Sequence, residues 1–209
     1  MCVLHQICMI RNFYCVVYTT SEIDIIPSDK KKEKQFDNYT ICKKCGELRP
    51  PRSHHCSICN LCIDKLDHHC IFLNNCIGRK NYKFFCSYIF ISLINTLIML
   101  ILSIYHIRIF LLEIKKEFRE KIFNPLPFQI LLRAPISIIF LCILSAIFSI
   151  GLLYFLFFHL YLLYYDYTTL ELNYKQYHID NPNKKKRKLS EKISTIIGSS
   201  NWLNIYWPD

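Results

Sequence analysis

The chain has 209 residues, 26 Lys plus Arg against 16 Asp plus Glu (formal net charge +10), 52% hydrophobic residues and only 20% charged ones. This composition excludes a disordered polar chain and does not suit an ordinary soluble domain; it points to a protein solvated in part by lipid. The charge suits nucleic acid, anionic lipid or an acidic substrate and does not choose among them.

Residues 1–27 are apolar in patches, but His5, Gln6, Arg11 and Asn12 interrupt them, and no charged stretch leads into an apolar one. The segment therefore reads neither as a signal peptide nor as a good membrane span. Cys2, Cys8 and Cys15 lie in it, and self-acylation there is one use for them. Asp29 to Lys34 (DKKKEK) then forms a solvated linker.

Residues 28–83 read as a small, loop-rich cysteine domain. Seven of the twelve cysteines and four of the eight histidines crowd between Cys42 and Cys76. That density of soft ligands exceeds what a redox dithiol needs and indicates two tetrahedral zinc sites with ligands to spare. Cys42 with Cys45, and Cys56 with Cys59, have the two-residue spacing that presents both sulfurs to one ion; His55, Cys62, His69 and Cys76 complete two sets. Spacing alone does not say which ligand joins which ion. Cys70 is the thiol that zinc need not take. Neighbouring side chains of an extended segment point to opposite sides, so His69 can hold metal while His68 and Cys70 stay free. A free thiol beside an imidazole is a nucleophile candidate, and Asp67 is placed to hold that imidazole in the needed tautomer.

Phe84 to Ile107 contains no Asp, Glu, Lys or Arg, which is long enough for a transmembrane helix over 84–107. A connection over 108–135 follows, then a second helix over 136–165 opened by Pro135 and ending in Tyr161, Tyr164 and Tyr165, as expected at a headgroup boundary. Its charge-free run of 32 residues exceeds what a core of about 30 Å needs, so it tilts or protrudes. Cys86 and Cys142 read as small packing residues, and His106 and His159 as interfacial or helix-contact residues rather than a proton relay. Two spans put the cysteine domain and the tail, 166–209, on one side of the membrane. Twelve Lys plus Arg in 28–83 and seven in 165–209, against six in 108–135, favour the cytosol for that side, where thiols stay reduced. The tail run Asn181 to Lys188 (NPNKKKRK) is a charged loop able to attract anionic lipid. No repeat of 20–50 residues is visible.

The segment Cys42 to Phe85 closely resembles the cysteine-rich domain of the DHHC family of protein S-acyltransferases. The resemblance is carried by RPPRSHHCSIC from Arg49 to Cys59, by Asp67-His68-His69-Cys70, by Asn75-Cys76-Ile77-Gly78 and by Asn81. Thr168-Thr169-Leu170-Glu171 looks like the family's TTxE motif, and Asn201 to Tyr206 like its C-terminal asparagine and aromatic motif. The likeness implies an α-helical membrane protein with two structural zinc ions in the cysteine domain. One zinc would be held by Cys42, Cys45, His55 and Cys62, the other by Cys56, Cys59, His69 and Cys76. Cys70 would be the acylated nucleophile, His68 its base and Asp67 the residue orienting His68, with Thr168, Thr169, Glu171 and Asn201 as supporting motif residues. It further implies ping-pong transfer of a long chain from an acyl-CoA such as palmitoyl-CoA to cysteine thiols of membrane-associated proteins. Lys43, Lys44, Arg49, Arg52, Arg79 and Lys80 are available to the CoA phosphates.

Two departures from the family stand out. Ile71-Phe72 replaces the usual Pro-Trp after the catalytic cysteine, and residues 1–19 offer at most a remnant of the two spans that usually precede the domain. Partnering with another membrane protein would then complete the acyl cavity. The rival is a catalytically silent, zinc-binding membrane adaptor or an incomplete family member. A nucleic-acid-binding zinc module is disfavoured by spans lying directly against the zinc segment.

Overall fold

The computed structural model describes residues 2–26, 34–119 and 136–173. Of these, the residues up to Ile91 and those from Phe157 onward form one compact unit, and Ser92–Leu156 forms another. The connection from 120 to 135, the KKKRK run and the Asn201 motif lie outside the described residues.

The first unit begins with a helix, α1 (Cys2–Tyr18). At 17 residues it is about 25 Å long, short of a bilayer core of about 30 Å. Its last carbonyls need partners that the helix cannot supply, and two asparagines about sixty residues away provide them. Asn75 Nδ2 lies 2.9 Å from the Val16 carbonyl, 3.0 Å from that of Val17 and 3.1 Å from that of Thr19. Asn81 Nδ2 donates to Thr19 and Cys76 at 3.0 and 2.9 Å, and its Oδ1 accepts from the Gly78 N–H at 2.9 Å and the Ser21 hydroxyl at 3.1 Å. The segment that reads as neither leader nor span is thus a helix whose C-terminal end is capped by the cysteine domain.

A short 3₁₀ turn (Lys34–Phe36) leads into three antiparallel hairpins. They pair β1 (Thr40–Ile41) with β2 (Leu48–Arg49), β3 (His54–Cys56) with β4 (Leu61–Ile63), and β5 (His68–Cys70) with β6 (Asn75–Ile77). Strands of two or three residues do not hold together unaided. Their interior is largely sulfur: Cys56 and Cys76 are buried with Ile63 and Leu66, and Cys42 and Cys62 with Ile23.

The second and third hairpins repeat one another at a spacing of 14 residues. His54, His55 and Cys56 face Ile63, Cys62 and Leu61; His68, His69 and Cys70 face Ile77, Cys76 and Asn75. Each turn closes on an asparagine in the left-handed region, Asn60 at φ 55° and Asn74 at φ 47°, which asparagine tolerates better than most residues. The repeat is shorter than a solenoid period, which is why a search at 20–50 residues passes over it. After β6 the chain runs close against the preceding hairpin. A Cβ at Gly78 would lie 2.7 Å from the Asp64 carbonyl oxygen and 2.8 Å from Ser21 Cβ, so only glycine fits.

Two long helices follow, α2 (Tyr82–Arg119) and α3 (Ile136–Tyr165). Both are long and apolar enough to cross a membrane, with mean hydropathies of 2.3 and 2.7 in their most apolar stretches. In contrast to the helix expected over 84–107, α2 continues to Arg119. Arg108, Glu113, Lys115 and Lys116 are good helix formers, so the first charge marks the edge of an apolar run rather than the end of the helix. In the Ser92–Leu156 unit Ile101, Ile104, Phe140, Ile147 and Ile150 are exposed, as lipid-facing side chains are. The buried Ser103 and Ser145 return their hydroxyls to the carbonyls of Met99 (2.7 Å) and Cys142 (3.0 Å) of their own helices. A one-turn helix, α4 (Thr169–Asn173), ends the described chain.

Asn81→Ala strips partners from buried groups at the end of α1 and at Gly78. Each group left unsatisfied costs about 1–3 kcal/mol, so the thermal midpoint of the detergent-solubilised protein is expected to fall by several degrees, against little change for the exposed Ile25→Ala.

Candidate active site and metal centres

The hairpins bring the soft ligands together in two groups, Cys42, Cys45, His55 and Cys62, and Cys56, Cys59, His69 and Cys76, with the ligand atoms of each within 4.8 Å of one another. In the first, Cys62 Sγ lies 3.5 Å from Cys45 Sγ and 3.8 Å from His55 Nδ1. In the second, His69 Nδ1 lies 3.7, 3.3 and 3.6 Å from the sulfurs of Cys56, Cys59 and Cys76, and the Cys59 and Cys76 sulfurs are 3.5 Å apart. A tetrahedral zinc with Zn–S of about 2.3 Å and Zn–N of about 2.0 Å separates its ligands by about 3.4–3.8 Å, so the donor sets fit that ion in type, number and size. Burial and the neighbouring thiols push Cys62 up to about 12 and Cys76 further still. Sulfurs packed this closely cannot all ionise without a cation among them.

The pairing is interleaved because each hairpin serves two centres. β3 and β4 give His55 and Cys62 to the first group, while the turn beginning at Cys56 gives Cys56 and Cys59 to the second. In the next hairpin His69 and Cys76 occupy the places of His55 and Cys62. Cys70 therefore stands where Cys56 stands, and Leu73 where Cys59 stands. The amides after each of these cysteines favour its ionised form: those of Cys59 and Ile58 at Cys56, and those of Leu73 and Phe72 at Cys70. Cys70 keeps the backbone environment of a metal ligand but lacks the second thiol.

Alternation along β5 turns His68 and Cys70 away from the face that carries His69. His68 Nδ1 donates to Asp67 Oδ2 at 2.7 Å, and Cys70 lies two residues along the same strand. Burial opposes charge on His68, but Asp67 and the neighbouring Cys70 outweigh burial and raise its pKa to about 9. Burial likewise opposes ionisation of Cys70, and here His68 and the Leu73 and Phe72 amides bring its pKa below the ordinary thiol value. Asp67 is 2% exposed, and the bonds from His68 and the Thr169 N–H hold its carboxyl below the usual range against burial. The arrangement favours a thiolate beside an imidazolium, the state in which a thiol attacks a carbonyl carbon.

The motif at α4 locks this hairpin in place. The Thr169 N–H donates to Asp67 Oδ1 and its hydroxyl to Oδ2, each at 2.8 Å. Thr168 instead caps its own helix: its N–H donates to Glu171 Oε2 at 3.0 Å, and its hydroxyl accepts from the Glu171 N–H at 3.2 Å. The buried Glu171 receives Arg52 Nε and Nη2 at 2.7 and 2.8 Å, and the same guanidinium reaches Asp166 Oδ2 at 3.1 Å. Lys65 Nζ adds a bond to Asp166 Oδ1 at 3.1 Å. Arg52, available to phosphate in the sequence reading, is turned inward to Glu171 and Asp166, while Arg79 pairs with Asp64 at 2.6 Å. A small cavity lined by Lys65, Arg79, Lys83 and Tyr82 opens beside Asp67. Sequence reasoning did not find Arg52 as the tie to α4, nor Phe85 beside His68; neither has a spacing signal, because the partners lie on elements far apart in the chain.

Removing Arg52 leaves the Glu171 carboxylate, 1% exposed, without its counter-charge. Breaking such a pair costs about 3–5 kcal/mol, so Arg52→Gln is expected to lower the thermal midpoint sharply, and Arg52→Gln with Glu171→Gln to lower it less than the two single losses summed.

The DHHC palmitoyltransferase profile matches residues 35–176. Palmitoyltransferase ZDHHC15A of Danio rerio is 37% identical over 131 residues, which cover 63% of this chain and 36% of the relative. Probable protein S-acyltransferase 13 of Arabidopsis thaliana is 30% identical over 167 residues, covering 79% and 50%. Palmitoyltransferase ZDHHC16B of Danio rerio is 46% identical over 88 residues, covering 42% and 22%. The chain spans half or less of the length of each of these relatives.

Proposed function

Because this chain belongs to the DHHC palmitoyltransferase family, we propose that it is a protein S-acyltransferase that carries a long acyl chain on Cys70. The observation that carries the reading is the hydrogen-bonded series from Thr169 through Asp67 to His68, with Cys70 beside it on β5 and its thiol pKa lowered by His68, on the opposite side of β5 from His69 and its metal cluster.

In the first half-reaction the Cys70 sulfur attacks the carbonyl carbon of an acyl-CoA thioester, and the carbon–sulfur bond to CoA breaks. The proton held on His68 goes to the departing CoA sulfur. In the second, the thiol of an acceptor cysteine gives its proton to His68 and attacks the Cys70 thioester. Cys70 leaves as the thiolate, so acyl group and proton both balance. Asp67 keeps Nδ1 of His68 occupied and its other nitrogen directed at sulfur. Cys42, Cys45, His55 and Cys62, and Cys56, Cys59, His69 and Cys76, would hold two zinc ions, which would cross-link the hairpins and take no part in the transfer.

The acceptors are membrane-associated proteins with accessible cysteines, and the acyl tail lies in the apolar phase that α2 and α3 enter. The cysteine domain and the tail face the cytosol, where acyl-CoA is available. The lysines at the cavity beside Asp67 suit the phosphates of the donor. A second reading, the silent adaptor, draws on Ile71 and Phe72, 73% and 90% exposed, where the family carries Pro-Trp.

Incubation of membranes containing the full chain with alkyne-tagged palmitoyl-CoA is expected to label the wild type at Cys70, with hydroxylamine removing the label and Cys70→Ala abolishing it. No label on a zinc-loaded wild type would favour the adaptor. Metal analysis is expected to give about two zinc ions per folded chain and about one for Cys59→Ser, in keeping with two four-ligand sites.

A further inference from the structure

One bond to Asp67 does not by itself fix the plane of His68. The sp³–sp² torsion of a histidine is broad, and rotation about it would swing the nitrogen opposite Asp67 away from Cys70. What surrounds the ring is therefore part of the site. The Phe85 ring meets His68 edge-on, centroids 5.3 Å apart at 63°, and the His159 ring lies 6.2 Å away, tilted at 42°. Phe85 and His159 also meet each other edge-on at 5.2 Å and 81°. Both are deeply buried, 3% and 1% exposed. His159 Nδ1 is in turn hydrogen-bonded to the Tyr82 hydroxyl at 2.9 Å. Tyr82 lies three residues before Phe85 on α2, and thus on the same face.

We infer that His159, held by Tyr82, is a positioning residue for His68, setting with Phe85 the plane of the imidazole that serves Cys70. An apolar side chain would fill this space without the cost of burying a polar ring. What the imidazole adds is a fixed angle, because its hydrogen bond to Tyr82 orients the ring against which Phe85 and His68 pack. The inference rests on the reading of His68 as partner to Cys70, and it assigns His159 no contact with substrate. It replaces the general helix-packing role expected for His159 with a specific one at the nucleophile.

The test follows two readouts on the full-length protein in detergent: the rate of Cys70 alkylation by iodoacetamide, followed by mass spectrometry of its peptide, and acyl labelling with tagged palmitoyl-CoA. His159→Leu is expected to slow both about tenfold through misplacement of the base, with zinc content and the KM for acyl-CoA unchanged. Tyr82→Phe, which removes the hydrogen bond but keeps both rings, is expected to slow both rates in the same direction, and His159→Phe, which keeps a ring without the bond, to remain slow. The inference is overturned if His159→Leu alkylates at the wild-type rate, if Tyr82→Phe leaves both rates unchanged, if zinc is lost in step with rate, or if KM rises in place of a fall in kcat. A wild type whose Cys70 alkylates rapidly but takes no acyl label would sink the acyltransferase reading, while the alkylation series would still decide the role of His159.

Discussion

The buried carboxylate of Asp67 joins the two halves of this site. It receives one imidazole N–H, one backbone N–H and one hydroxyl, so the strand that carries Cys70 and the helix that follows the second long apolar segment close on the same two oxygens. An Asn at this position could accept at one oxygen only, and an Ala would leave three donors facing an apolar gap. The TTxE segment is therefore part of the support of the hairpin that carries Cys70, although about a hundred residues separate them. Arg52 fastens the other end of the same helix to the preceding loop through Glu171 and Asp166.

Sulfur carries the rest of the architecture. Three hairpins with two or three residues per strand bury little apolar surface, and the interior they do have is made of the same cysteines that form the two clusters. Such a domain lies in the size range where metal takes over from a hydrophobic core. The rigidity that holds His68 on Asp67, with Cys70 beside it, then comes from ligand sets on the other face of the same strand. Along β5 the residues alternate between the Asp67 side and the metal-ligand side.

Much of this was legible in the sequence because it depends on short spacings. The Cys-x2-Cys pairs, the adjacent His68 and His69 and the alternation that separates them all act within a few residues. The charge-free runs identify two helices, but they do not mark the end of α2, since the charges that follow Ile107 are compatible with helix. The asparagines that cap α1, the turn of Arg52 toward α4 and the rings around His68 could not be read in this way. Each joins elements distant in the chain, and each uses a residue whose type suits several roles. Asn75 and Asn81 lie inside a recognisable motif, yet only three-dimensional structure shows that their amides serve the end of an N-terminal helix.

The hairpin repeat gives Cys70 a particular place in a series. Cysteine pairs pass along the domain as a relay: Cys42 and Cys45 close on the hairpin after them, and Cys56 and Cys59 on the next. Cys70 begins a third pair, and Leu73, buried at 6% exposure, ends the relay by withholding a sulfur. Amides that favour the ionised form of the cluster thiol Cys56 do the same for Cys70. The Cys70 position thus has the form of an interrupted metal site, reached by leaving out a ligand. The same geometry sets a limit on what can follow it: a sulfur in place of the Leu73 side chain would restore the missing half of a chelate and offer Cys70 to soft metal ions.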